Sequence, residues 1–326
     1  MRRAAACKPS ARAQRMAVLS ELRYPTTRLA KLLSVLLALL LFGVVSVATV
    51  AGILLYQILR PAKNAATLDL SVMMGHPTTF SFNVPDGTSR DGWFFPGLRG
   101  APTIVVCHGY QSQRGDVLTL VTALQDHQYN VFVFDFAGHG ANLGMTTLGY
   151  RETGELRSAI QALAGRDDID QRHFGLWGVD LGGYASLEAA TLDPRVVALV
   201  LDSAYSDPRE MIQIETRRSG LAVIPFVSRA ADLGFRLVNY QFRQQPPVTS
   251  SLGRLKGIPK LFIQDDDRPE LTNTTTQLYV HSPEPKQIVR EHASYSDMSD
   301  DDRHKYEDMI VSFFLQSLSP TANLAR

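Results

Sequence analysis

The sequence predicts an α/β fold: a mostly parallel central sheet flanked by helices, with a small lid-like insertion, preceded by one N-terminal transmembrane helix. Three observations carry this. Apolar runs of strand length alternate with helix-forming runs, a pattern that builds right-handed crossovers and parallel pairing. Glycine-bearing turns follow directly on three of those runs, at His108-Gly109-Tyr110, Asp135 to Gly140 and Gly178 to Gly183. Leu32 to Tyr56 holds no charge, about 25 positions where a span needs roughly 20.

Eight basic residues, Arg2, Arg3, Lys8, Arg12, Arg15, Arg23, Arg28 and Lys31, precede that run against the single acid Glu21. On the far side Arg60 and Lys63 are soon followed by Asp69. Because basic residues stay on the cytoplasmic side, the expectation is a cytoplasmic tail over 1–31, a single span over 32–59, a linker over 60–67 and a main domain, 68–318, across the membrane. Residues 319–326 read as a tail. The uncharged run exceeds the apolar part of a signal peptide, about 7–15 residues. Tyr56 suits the far interface, and Arg60-Pro61 ends the helix.

The whole chain carries a net charge of only +1, so it lacks the basic field of a nucleic-acid binder. No spaced set of metal ligands, phosphate loop or repeat is present, and neither metal nor cofactor is expected. Cys7 and Cys107 lie in unrelated regions and no disulfide is expected; Cys107 reads as a small core residue.

Within the main domain, Leu68 to Met73 and Thr78 to Val84 read as strands, the second closed by the turn Pro85-Asp86-Gly87. Trp93 to Phe95 is a further apolar patch. Thr103 to Cys107 is continuous and apolar, as a strand buried on both faces must be. A helix over Val117 to His127 leads to a strand over Tyr129 to Phe134. His173 to Val179 is a strand that turns sharply into a helix-forming run, Tyr184 to Leu192, and Val196 to Leu201 is the next strand. Ser206 to Ser250 breaks the alternation and reads as the insertion. Pro259 to Ile263 and Gln287 to Arg290 are the last strands, before an amphipathic helix over Asp302 to Leu318. Such sheets collect ligands beyond the carboxyl ends of their strands, where His108, Asp135 and Asp180 all fall.

These motifs, in this order and each after a strand, resemble the α/β-hydrolase superfamily, closest to its serine aminopeptidase-like and acyl-hydrolase branch. The likeness covers Leu68 to Leu318. It implies that Gly178-Val179-Asp180-Leu181-Gly182-Gly183 is the nucleophile elbow, with Asp180 where most members carry serine. It also implies an oxyanion site made by the backbone N–H of Leu181 and that of Tyr110 or Gln111. The acid of the family sits a few residues past Pro259 to Ile263, which points to Asp267, with Asp266 second. Asp202 is an alternative acid position, read here as a cap. Ser296-Asp297-Met298 matches the segment after the family's histidine, which places Tyr295 at the histidine position. His292, three residues earlier, is the alternative. His108 and His139 read as residues that hold their loops.

Chemistry weighs these substitutions. A carboxylate attacking an ester or amide forms an anhydride, whose carboxylate leaves more readily than an alkoxide or amine, so collapse runs backwards. Against a saturated carbon a carboxylate nucleophile is productive, but its ester then needs a base-activated water. Tyr295 is a poor base: a phenol titrates near pH ~10, so about one in a thousand is ionised at pH 7. Three readings follow for Asp180: a helix N-cap, a nucleophile, or a base or binding carboxylate. The expected protein is therefore a tethered hydrolase-fold domain that binds a small-molecule or acyl-type ligand with little ordinary esterase or peptidase activity. The alternatives are a hydrolase working through Asp180, His292 and Asp267, and an interaction domain without catalysis.

Overall fold

The computed structural model describes residues 27–61 and 75–321; residues 1–26 of the basic arm, Cys7 among them, and the expected strand over Leu68 to Met73 lie outside them, while Arg28 and Lys31 fall in the first turn of the N-terminal helix. An N-terminal helix, α1 (Arg28–Leu59), is capped by Thr27, whose hydroxyl accepts the Ala30 N–H. Two strands follow, β1 (Thr78–Asn83) and β2 (Ser89–Phe95), then β3 (Thr103–Cys107), α2 (Leu118–Asp126), β4 (Asn130–Phe134), α3 (Tyr150–Leu163) and β5 (Phe174–Val179). The second half comprises α4 (Leu181–Leu192), β6 (Val196–Asp202), α5 (Pro208–Arg218), α6 (Val227–Val238), β7 (Lys260–Asp265), α7 (Pro269–His281), β8 (Lys286–Glu291) and α8 (Asp300–Ser317).

The strands form one eight-stranded sheet in the order β1-β2-β4-β3-β5-β6-β7-β8, antiparallel at β1, β2 and β4 and parallel beyond. Every residue of β3, β4, β5 and β7 is buried, because helices cover both faces. One apolar layer joins the sheet to α3, α4, α6 and the end of α1; the other joins it to α2 and α8. Parallel register aligns the strand ends: Cys107 lies beside Gly178, Val179 beside Asp202, and Asp202 beside Ile263.

Most of α1 stands clear of the domain: Leu29 to Val45 present large exposed apolar side chains, and no part of its most apolar stretch is covered. Its last turns are different. Ala51, Leu54, Leu55, Ile58 and Leu59 are buried, packed against the insertion, where α6 turns Val227, Ala231 and Phe235 inward. A Cβ at Gly234 would lie 3.0 Å from Leu55 Cδ2, so the missing side chain lets the two helices approach closely.

Candidate active site

At the end of β5 the chain makes the sharp turn that the glycines foretold. A Cβ at Gly178 would stand 2.3 Å from the Gly182 carbonyl oxygen, and one at Gly182 would stand 2.2 Å from that of Cys107; only glycine fits either place. Asp180 takes φ 37° and ψ −99°, a conformation that L-residues avoid and that functional sites retain. The residue is buried.

Both carboxylate oxygens of Asp180 are occupied. Oδ1 accepts the Tyr110 N–H at 2.6 Å and the adjacent Leu181 N–H. Oδ2 is held by the Arg268 guanidinium. The two backbone donors assigned by resemblance to an oxyanion thus converge on the carboxylate of the elbow residue itself, and of the alternatives Tyr110 and Gln111 it is Tyr110 that donates. Asp180 also bonds the first helical N–H, which makes it a cap, but one embedded in an ion pair.

Arg268 stands between that carboxylate and a cavity of about 250 Å³ whose walls include Gln111, Trp177, Val179, Ser294 and Ser296. Burial works against its charge, yet Asp180, Asp202 and Asp265 outweigh that cost and hold its pKa above the ordinary arginine value. Behind it lies a second feature. Asp202 and Asp265 end neighbouring strands, are fully buried and meet each other. Tyr306 donates to Asp202 Oδ2 at 2.7 Å, while among the described residues Asp202 Oδ1 and both Asp265 oxygens have no well-aligned donor, Ser203 lying nearby. One proton shared between the two carboxyls would serve two of these three oxygens. Burial and the neighbouring Asp202 push Asp265 up to about 9, and Asp202 is raised by its own burial.

The other assigned residues are placed elsewhere. Asp267 is exposed and makes none of the contacts to Asp180. Asp266 is also exposed and pairs with Arg290 and His292. The His292 side chain is 97 % exposed, with Nδ1 3.3 Å from Asp266, so no imidazole meets the elbow carboxylate. Tyr295 contributes to the cavity wall, but its hydroxyl points into the core: it accepts the Leu120 N–H at 3.0 Å, meets Thr119 and donates to Glu307 at 2.6 Å. Burial and the Glu307 carboxylate raise its pKa, which removes it further from service as a base. Asp202, expected as a cap, is instead a buried partner of Asp265.

The loop histidines do hold their loops. His108 Nδ1 donates to the Gly109 carbonyl at 2.8 Å and Nε2 accepts the Phe136 N–H at 3.1 Å. His139 is lowered to about 4 by burial and by neighbouring His108. One further contact ties the site to α1: the Tyr110 hydroxyl donates to the Ile58 carbonyl at 2.9 Å. Among the described residues no three His, Cys, Asp or Glu side chains are grouped as a metal requires.

Sequence reading missed Arg268, the Asp202–Asp265 pair and the Tyr110–Ile58 bond. An arginine close after the acid cluster was the one available signal.

An eight-stranded sheet of this order with a strained elbow at the end of β5 defines a hydrolase-type α/β domain. The chain belongs to the alpha/beta hydrolase family, whose model matches residues 104–316. Similar proteins include the uncharacterized protein YfhR of Escherichia coli K12, 26% identical over 255 residues, 73% of this chain and 81% of that protein. The uncharacterized protein Rv2307c of Mycobacterium tuberculosis is 31% identical over 131 residues, 39% of this chain and 45% of that one. Among solved structures, the Pyrococcus furiosus esterase Pf2001 matches with a TM-score of 0.63 at 15% identity, covering 79% of this chain and 99% of that chain. The alpha/beta hydrolase GrgF of Penicillium matches with a TM-score of 0.55 at 17% identity, covering 74% and 99%. At such identities the structural likeness speaks for the fold alone.

Proposed function

We propose that this protein is a membrane-anchored member of the family that binds a ligand at the elbow cavity and carries out no ordinary acyl-enzyme chemistry. The observation that carries the reading is the state of Asp180. A nucleophile or base needs an oxygen that faces substrate; here two N–H groups fill Oδ1, and Oδ2, the other candidate, is covered by the Arg268 guanidinium. Losing either the attacking atom or the proton carrier removes most of a triad's effect, and here serine is replaced by Asp180 and the histidine position by a core-bonded Tyr295. The catalytic route through Asp180, His292 and Asp267 has no support in these contacts.

The cavity favours a small-molecule or acyl-type ligand: Val117 and Val179 give it apolar wall, and Arg268, Gln111, Ser294 and Ser296 give it polar groups. The esterase and the polyketide transferase GrgF that resemble the chain have activities that, on this reading, the chain lacks. α1 spans the bilayer with the basic arm in the cytoplasm and the domain on the other side. Its uncovered, uncharged part, 32–50, measures about 28 Å at 1.5 Å per residue, against a hydrocarbon core of about 30 Å.

The test is turnover of activated esters by the full chain beside Asp180→Ala. The expected result is no burst, and equal background rates for the two proteins. Turnover by the wild type that Asp180→Ala abolishes would overturn the reading.

A further inference from the structure

The insertion carries an apolar face that nothing among the described residues covers. Val223, Phe226, Leu233, Leu237 and Tyr240 are 85%, 67%, 58%, 66% and 57% exposed. Leu233 and Leu237 fall four residues apart on one face of α6, with Phe226 just before the helix and Tyr240 just after it, while Val227, Ala231 and Phe235 occupy the opposite face and are buried. The exposed stripe is therefore not a core face left over. Phe226 adds a second observation: it sits at φ +68°, a left-handed conformation unfavourable for a bulky side chain, and it does so with its ring outward.

Position and charge name the partner. Close contact at Gly234 fixes α6 beside the last turns of α1, which places the exposed residues near the end of the uncovered apolar part of that helix. Between 219 and 243 the chain has one acid, Asp232, and three arginines, Arg229, Arg236 and Arg243, all three exposed. Apolar residues flanked by arginines are the composition of a helix lying in a lipid interface, where guanidinium groups meet phosphates and apolar side chains enter the acyl boundary. A protein partner would not require the face to abut the span.

We infer that this face of the insertion is immersed in the bilayer that α1 crosses, so that the domain is held to the membrane surface at two places. The inference rests on the reading of α1 as a span. Immersion would set the elbow domain against the headgroups and let an amphiphilic ligand reach it from lipid.

The experiment places single tryptophans in the full chain in nanodiscs whose lipids carry brominated acyl chains. The native Trp93 and Trp177 are buried and supply a constant background. Phe226→Trp and Leu237→Trp are expected to lose at least half as much fluorescence as Phe42→Trp on the exposed part of α1, while Val280→Trp on α7 stays at the wild-type level. Quenching of Phe42→Trp with neither insertion variant quenched would overturn the inference and leave the span intact. Equal quenching of Val280→Trp would overturn it also. Absence of quenching at all four positions would remove the span reading and this inference with it.

Discussion

At the scale of single residues the site is an electrostatic network in which each charge has been given a partner. Asp180 and Arg268 form a pair whose side chains are 1% and 20% exposed. Removing one member of such a pair leaves the other poorly solvated, so Arg268→Ala and Asp180→Ala should each cost about 2–3 kcal/mol, below the cost of breaking a fully buried pair because Arg268 keeps some water. The double variant should cost less than the sum, and denaturant unfolding of all three checks it. Asp265 makes a prediction with a sign. Its folded pKa, about 9, lies above the unfolded value near 4, so the folded state binds more protons across that window and stability falls as pH rises through it. Asp265→Asn keeps a hydrogen-bond donor toward Asp202 and loses the titration. The variant should gain on the wild type from pH 5 to 8.5, by at most about 1.4 kcal/mol per unit, as read from melting temperatures. Asp180 itself was legible as the residue of the elbow; its partner was not. The residue types sought beside a nucleophile position are imidazole and carboxyl, and Arg268 belongs to neither.

At the scale of elements, the elbow and the end of α1 decide what the site can be. The elbow tolerates no side chain at Gly182, whose Cβ would meet backbone rather than a movable side chain. Gly182→Ala should therefore destabilise by about 3 kcal/mol or more, seen as loss of soluble folded chain or a large drop in unfolding midpoint. The contact between the Tyr110 hydroxyl and the Ile58 carbonyl joins the loop that donates to Asp180 to the helix that leaves the domain. Tyr110→Phe should cost about 1 kcal/mol and speed amide exchange in the last turns of α1 without altering exchange in β5. The register of β7 shows how an element's end moved a residue's role. Its apolar run reads as Pro259 to Ile263, but pairing with β8 carries the strand to Asp265. That puts Asp265 inside and leaves Asp266 and Asp267 at the surface, a choice among three adjacent acids that no periodicity resolves.

At the scale of the whole molecule, a hydrolase-type domain is fixed to an apolar helix by its insertion. If α1 crosses with its basic flank in the cytoplasm, an epitope placed before Arg23 should resist protease in sealed vesicles that expose the main domain, and one after Leu318 should be cut. Protection of the main domain with cleavage of the N-terminal epitope would reverse the assigned orientation. The alternation of strands and helices, the elbow glycines and the uncharged run of α1 were all set down in the sequence, because backbone conformation, burial on two faces and transfer into lipid depend on local composition and period. What fills the oxyanion site, which aspartates share a proton, and where the uncovered stripe of α6 faces depend on groups far apart in the chain, brought together by strand register and helix packing. Only the tertiary structure could decide them.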